Sequence, residues 1–291
     1  MEKSKGNRNI ELVVLAAGLS SRFGAPKQLE PMDGFGNTII DFSLYDALEV
    51  GFSSITFVVR EEMKSALENK FQHLKEKAEI KFAIQQVNDD RKKPWGTGHA
   101  LLSCRNLISN PFAVINCDDY YGRKTMKKLF DFLSKENQSW ALMGYLLEKT
   151  LPKSGGVARA VCKTSADNFL SEVCEQKNIV RGKTACSSLD NGEILSNDTL
   201  VSMNMWGFTP KIFPLLDLFF NEFIKTTQDP LSDEFYLPTA INRAISKGHS
   251  VRVLQAEDDW IGITHREDKA EAVKKFAELK RQGLFPTELW D

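Results

Sequence analysis

The 291-residue chain lacks most marks of a secreted, membrane-bound or nucleic-acid-binding protein. No apolar run approaches the roughly 20 residues that span a bilayer. The first residues, MEKSKGNRN, lack the apolar core of a signal peptide. Cysteine is sparse: Cys104, Cys117, Cys162, Cys174 and Cys186 make an odd number with no C-x-x-C pair. That argues against a disulfide framework or a zinc site, and for free thiols in a reducing cytoplasm. No charge of one sign dominates either. With 38 basic and 39 acidic residues the net charge is −1, so nothing global draws the chain to nucleic acid. Internal repeats and low-complexity tracts are absent.

Two familiar phosphate loops are missing as well. Gly18 is followed six residues later by Gly24, but Gly24 is followed by Ala25, so G-x-x-x-x-G-K-[ST] fails. The dinucleotide fingerprint G-x-G-x-x-G fails at Ser20, which sets a nicotinamide oxidoreductase aside. Nor is there a plausible Ser-His-Asp or Cys-His set, so no covalent intermediate is called for.

What is present is a core and a rhythm. Apolar residues make up 42% of the chain, enough for one large α/β domain. Strand-like runs at 11–16, 55–59, 80–84, 112–116 and 140–147 alternate with helix-like segments at 40–51, 61–77, 98–108 and 124–135. Such alternation implies a parallel sheet with helices on both faces. After about residue 155 the pattern shifts to short strands, GVARAVCK, FLSEVCE and TLVSMNMWGF. Helical segments at 210–226 and 234–247 follow, then the strand HSVRVLQA and a charged amphipathic helix at 266–282. The expected fold is Rossmann-like α/β: a mostly parallel mixed sheet with helices on both faces and a β-rich elaboration on the substrate side.

Three stretches carry chemistry. VVLAAGLSSRFGAPKQL, residues 13–29, runs a buried strand into a Gly/Ser turn followed by Arg22 and Lys27. Loops at the carboxyl ends of central strands are where open α/β sheets bind ligands, and backbone N–H groups in such turns cradle anions. Polyphosphate is the expected guest, although a solvated connector is the plainer account of this stretch alone. PWGTGHA, residues 94–100, opens a helix whose unpaired N–H groups favour anions or acceptor edges. Thr97 is expected to cap that helix and His99 to be structural; a simple capping turn explains the stretch equally well. AVINCDD, residues 113–119, ends a strand in Asp118 and Asp119, of which at most one faces the site if the strand continues. Mg²⁺ is typically held by one or two carboxylates plus substrate phosphates.

In this order and approximate spacing, LAAGLSSRFGAPKQL, QQV…PWGTGHALL and INCDDYYG resemble the nucleotidyltransferases that make nucleotide sugars, the sugar-1-phosphate nucleotidyltransferases. GGVARAV, EVCEQK, VSMNMWGF and DWIGITHREDK resemble that family's later, less specific blocks. The resemblance implies a single nucleotidyltransferase domain. Its nucleotide half would be 1–150 and its acceptor half 151–265, with a C-terminal helix and tail at 266–291. It implies catalytic roles for Arg22, Lys27 and Asp118, the last as Mg²⁺ ligand. Leu15, Ala16, Ala17 and Gly18 would lie along the nucleotide. Gln85 or its neighbour Gln86 would contact the base, and Gly96 and Thr97 would read the pyrimidine edge. Gly156, Glu175, Lys177 and Asn204 would contact the acceptor. If EVCEQK is a strand, Glu175 and Lys177 share one face, although an exposed ion pair explains them almost as well.

The chain departs from the family in four places. Gly262 stands where a second metal aspartate is common, leaving Asp258 or Asp259 as candidates; Asp259 is taken as the second ligand. Ala158 replaces a second glycine. The N-x-G motif is stretched to Asn204-Met205-Trp206-Gly207. No hexapeptide repeat follows the last helix, so an acetyltransferase half is not expected. The expected partners are an NTP and a phosphorylated small molecule, most plausibly a sugar 1-phosphate, with homo-oligomerisation left open. A cytidylyltransferase acting on phosphocholine, with Trp206, Phe208 and Tyr236 caging the quaternary cation, is one alternative. A nucleotide-binding regulator that has lost catalysis is the other.

Overall fold

The strand Glu11–Leu15 (β1) lies at the heart of a computed structural model that describes residues 9–18, 30–87, 90–91, 93–135, 139–152, 155–182, 185–263 and 268–290. Every residue of β1 is buried, because Leu12 and Val14 enter the core on one sheet face while Val13 and Leu15 enter it on the other. A strand covered on both faces reads as a continuous apolar run, and helices must cover both sides of it.

The chain then gives α1 (Ile39–Val50), β2 (Ser54–Val59), α2 (Glu61–Lys70), β3 (Glu79–Ile84), α3 (Thr97–Leu102), β4 (Phe112–Asn116), β5 (Asp119–Tyr120), α4 (Arg123–Leu133) and β6 (Trp140–Leu146). After α5 (Leu147–Thr150) come β7 (Val157–Thr164), β8 (Leu170–Arg181), β9 (Cys186–Ser188), β10 (Ile194–Leu195) and β11 (Leu200–Phe208). The chain closes with α6 (Ile212–Thr226), α7 (Leu237–Ser246), β12 (Val251–Gln255), β13 (Ile261–Gly262) and α8 (Asp268–Arg281). Among the described residues eleven strands form one sheet in the order β10-β9-β8-β7-β11-β4-β1-β2-β3, with β6 against β11 and β12 against β6. β4, β1, β2 and β3 are parallel, whereas β11 runs antiparallel to β4, β6 and β7. The expected mixed sheet with a parallel core and a β-rich elaboration is present.

Two expected helices are shorter than their periodicity suggests. The segment 61–77 leaves the α-helix at Phe71, which turns inward to stack on Phe57 at 5.1 Å, and continues as a 3₁₀ turn at Gln72–Glu76. The segment 98–108 stops at Leu102, and the chain turns back into β4. The buried Glu11 carboxylate holds that turn, Oε1 accepting from the backbone N–H groups of Ser109 (3.0 Å) and Asn110 (2.9 Å). α8 and the segment after it cover a third apolar cluster around Phe42, Tyr120, Phe276 and Phe285. All five cysteines are free thiols, as expected. Among the described residues no helix is long and apolar enough to cross a membrane.

Candidate active site

One strand changes partners and thereby opens a cleft. On one edge of β11, residues 201–202 pair with β7 and residues 206–208 pair with β4. The register along β11 shifts between Ser202 and Trp206. Asn204, in the middle of this break, adopts a left-handed φ of 63°, a conformation that asparagine tolerates better than most residues. The gap lies at the carboxyl end of β4, where a hollow of about 280 Å³ is lined by Asn116, Asp119, Arg159, Glu175, Asn204 and Tyr236 among others.

The floor of the hollow is an amide relay. Trp206 Nε1 donates to Asn204 Oδ1 (2.8 Å), Asn204 Nδ2 to Asn116 Oδ1 (2.7 Å), and Asn116 Nδ2 to Asp119 Oδ2 (2.9 Å). The Tyr121 hydroxyl donates to Met203 O (2.9 Å) and lies 3.3 Å from the same Asp119 oxygen. Burial holds that phenol well above its ordinary pKa, so it stays a donor. Asn204 therefore lines the hollow, with its side chain already oriented by two partners.

The paired acids divide differently from a simple strand alternation. β4 ends at Asn116, residues 117–118 form a turn, and Asp119 begins the short β5. Asp119 lines the hollow; the partly exposed Asp118 stands on the turn just before it. β5 pairs with β13 so that Asp119 faces Gly262, and a Cβ at 262 would sit 2.6 Å from Asp119 Oδ1 and 2.1 Å from Trp260 Cζ2. The site at which the resembled family often carries a second aspartate is thus packed by an indole.

The two candidate acids upstream have partners of their own. The exposed Asp259 carboxylate pairs with Lys149 Nζ at 2.9 Å on the surface. Asp258 Oδ2 accepts from Thr125 N (2.8 Å) at the start of α4. Among the described residues no three acids, histidines or cysteines converge to cage a metal. The strand-end carboxylates Asp118 and Asp119 nevertheless fit Mg²⁺ chemistry, because that ion is held by few protein oxygens and completed by substrate phosphates.

A glycine turn forms the other side. Gln85 follows β3, its backbone N–H donating to Val59 O (2.8 Å), and its side-chain Nε2 donates to Gly96 O (3.0 Å). Gly96 has φ 90° and ψ 177°, a region open essentially to glycine alone, and a Cβ there would meet Phe235 O at 2.7 Å. Gly98 N donates to Phe235 O (2.9 Å) and Phe235 N to Trp95 O (2.7 Å), strapping the turn to the segment before α7. Thr97 does not cap α3, whose N-cap is Gly96; its hydroxyl instead accepts from Leu237 N (3.0 Å) at the start of α7. The Arg91 guanidinium stacks 3.3 Å from the Trp95 centroid and donates to the carbonyls of Lys93, Pro230 and Asp233, locking the same strap.

Of the remaining expected residues, Leu15, Ala16 and Ala17 are buried and Gly18 is exposed at the end of β1. Arg22 and Lys27 lie outside the described residues. Glu175 lines the hollow, whereas Lys177 is exposed on β8 and is not part of its wall. Gly156 is exposed and packs against Asn178, where a Cβ would stand 3.1 Å from Cα. The aromatic cage does not form, because Trp206 and Phe208 are buried in the core and stacked on each other at 5.9 Å. Two lining features were not read from the sequence. Asn116 was hidden within an apolar strand, and Arg159 was hidden within an alternating one. The buried Arg159 donates to Thr150 and Ala158, with the Trp260 ring 5.3 Å away.

Residues 12–173 match the family model of the MobA-like NTP transferase domain. The bifunctional protein GlmU of Aquifex aeolicus (strain VF5) is 22% identical over 269 residues, covering 89% of this chain and 51% of that protein. The chain therefore spans about half the length of that curated relative. Among solved structures, UDP-glucose pyrophosphorylase complexed with UDP-glucose has a similar fold, with a TM-score of 0.63 and 19% identity over 93% of this chain and 99% of that one. With the family model spanning more than half of its residues, the protein belongs to the MobA-like NTP transferase domain family and is a nucleotidyltransferase by descent.

Proposed function

We propose that the chain transfers an NMP group from an NTP to a phosphorylated acceptor, best a sugar 1-phosphate, releasing pyrophosphate and giving an NDP-sugar. Nucleotidyltransferases of this type generally use a divalent metal ion. The supporting observation is the hollow at the end of β4, lined by Asp119, Glu175 and Asn204 and by Thr97 of the strapped glycine turn. The acceptor phosphate oxygen attacks the α-phosphorus in line, and the bond to the pyrophosphate oxygen breaks. Catalysis on this reading is positioning and charge neutralisation. Arg22 and Lys27 neutralise the triphosphate, Leu15 to Gly18 lie along the nucleotide, and Gln85, Gly96 and Thr97 face the base. Glu175 and Asn204 orient the acceptor hydroxyls, with Gly156 and Lys177 at the margin of that side. Asp118 would hold Mg²⁺, which supplies positive charge to the phosphates when bound. A reducing cytoplasm is the matching compartment.

A panel of NTPs and sugar phosphates with Mg²⁺, assayed for pyrophosphate, tests this reading. Pyrophosphate release that requires a sugar phosphate is the expected result. Nucleotide binding without release would identify a regulator instead, and release with phosphocholine alone would move the acceptor. Asp118→Asn should abolish turnover at an unchanged unfolding temperature; full activity of that variant would remove the metal assignment.

A further inference from the structure

Arg159 brings a positive charge into an otherwise acidic hollow. Among the described residues that line the cavity it is the one basic side chain, in a wall that also holds the carboxylates of Asp119 and Glu175. It is 9% exposed. A guanidinium carries five N–H donors, and here three are spent on neutral oxygens. Nε donates to Thr150 Oγ1 (3.1 Å), Nη1 to Ala158 O (2.8 Å) and Nη2 to Thr150 O, which leaves one N–H on each terminal nitrogen. Burial lowers its pKa and the carboxylates of Asp119 and Asp268 raise it through space, yet an arginine stays charged at neutral pH. Trp260, 5.3 Å away, offers the face of a ring and no counter-charge. Holding Thr150 in place requires donors but not a charge. A cation withdrawn from water, with no counter-ion bonded to it among the described residues, is costly, so the charge itself calls for an anionic guest.

We propose that Arg159 binds the anionic group of the acceptor, taking phosphate oxygens with the two N–H groups it has left. The three bonds to Thr150 and Ala158 hold the planar fork in advance, and two donors in a rigid plane suit a phosphate. This rests on the nucleotidyltransferase reading above and adds which residue carries the acceptor's charge. Lys177, the cation read from the sequence for this side, is exposed on β8 and outside the wall. Without Arg159, a phosphate in the hollow would face two carboxylates and no cation among the described residues. Hydrogen bonds between charged groups correspond to roughly ten- to hundredfold in affinity.

Steady-state kinetics of the full chain in Mg²⁺ test the proposal, with whichever of glucose 1-phosphate, N-acetylglucosamine 1-phosphate and phosphocholine the parent uses best. Arg159→Gln keeps a donor for Thr150 but loses the charge. Its acceptor KM should rise about ten- to hundredfold while its NTP KM moves less than about threefold. Arg159→Lys keeps the charge but not the fork, and its acceptor KM should fall between those of the parent and Arg159→Gln. An acceptor KM within about threefold of the parent in Arg159→Gln overturns the proposal. Equal losses for acceptor and NTP overturn it as well, since they mark the arginine as a structural anchor only. A Lys177→Gln variant that loses more acceptor affinity than Arg159→Gln would return the anion to β8. If Arg159→Gln fails to fold, Arg159→Lys decides, and an acceptor KM equal to the parent's overturns the assignment. Release of no pyrophosphate by the parent with any NTP and any of the three acceptors would instead sink the nucleotidyltransferase reading, and this proposal with it.

Discussion

Replacing Gly96 by alanine puts the strapped turn to a quantitative test. The residue sits at φ 90° and ψ 177°, and an added methyl would approach Phe235 O to 2.7 Å and both Phe235 C and N to 3.0 Å. A non-glycine residue in that region costs about 1–3 kcal/mol. Relieving the contact means moving Phe235, whose N–H and C=O both bond to the turn. Losing those two bonds adds about 1 kcal/mol each, for a total of about 3–5 kcal/mol. Unfolding entropy of about 2.1 cal/mol/K per residue gives about 0.6 kcal/mol/K for this chain. If the turn stays attached in the variant, the strain alone lowers Tm by about 2–5 °C, and a variant that bears both costs loses about 5–8 °C. If the turn detaches and escapes the strain, the two lost bonds still lower Tm by about 3 °C, and nucleotide affinity falls by about 100-fold or more. Calorimetry and a UTP titration on one preparation separate these outcomes. A variant within about 1 °C and about twofold of the parent on both measures would refute the reasoning.

Further expectations concern charge. Arg22→Ala or Lys27→Ala should each lower kcat by about 10²–10³, the usual cost of removing one preorganised donor, and a change of less than a few-fold in both would make the loop a plain connector. Burial pushes the Asp46 carboxyl up to about 6, outweighing Arg123 at 2.6 Å and the Tyr120 hydroxyl at 2.8 Å. Since the folded state binds this proton more tightly than the unfolded one, stability is highest below about pH 4 and declines until about pH 6, by on the order of 3 kcal/mol. Unfolding free energies of the parent and of Asp46→Asn should diverge across that window; parallel profiles would dismiss the effect. Arg91→Lys removes the fork that joins Lys93, Pro230 and Asp233 and the stack on Trp95, and should loosen the strap as shown by faster amide exchange at Gly98 and Phe235. Unchanged exchange there would assign the locking to the backbone bonds alone.

The sequence disclosed the parallel half because β1, β2 and β4 are buried on both faces and therefore read as apolar runs. Helix ends were less legible, since Phe71 leaves its helix for a packing reason that no local propensity encodes. The aspartate pair was visible, but its division was not, because a two-residue strand pairing with Gly262 shows no periodicity. Thr97 looked like a cap for its own helix and proved to serve α7, a partner 140 residues away. Asp259, read from the sequence as a second ligand, pairs with Lys149, a partner 110 residues away that no local pattern shows. The aromatic cage failed for a similar reason: alternation along β11 does not show that its break turns Trp206 inward.

The strap through Phe235 also joins the glycine turn to the wall of the hollow. The residue bonds the glycine turn through its N–H and its C=O, while Tyr236 and Pro238, immediately beyond it, form a wall of the hollow. A guest that stiffens the turn thereby stiffens the wall, and a guest resting on the wall steadies the turn. Such linkage is reciprocal: whatever factor the first occupant adds to the affinity of the second, the second must return to the first.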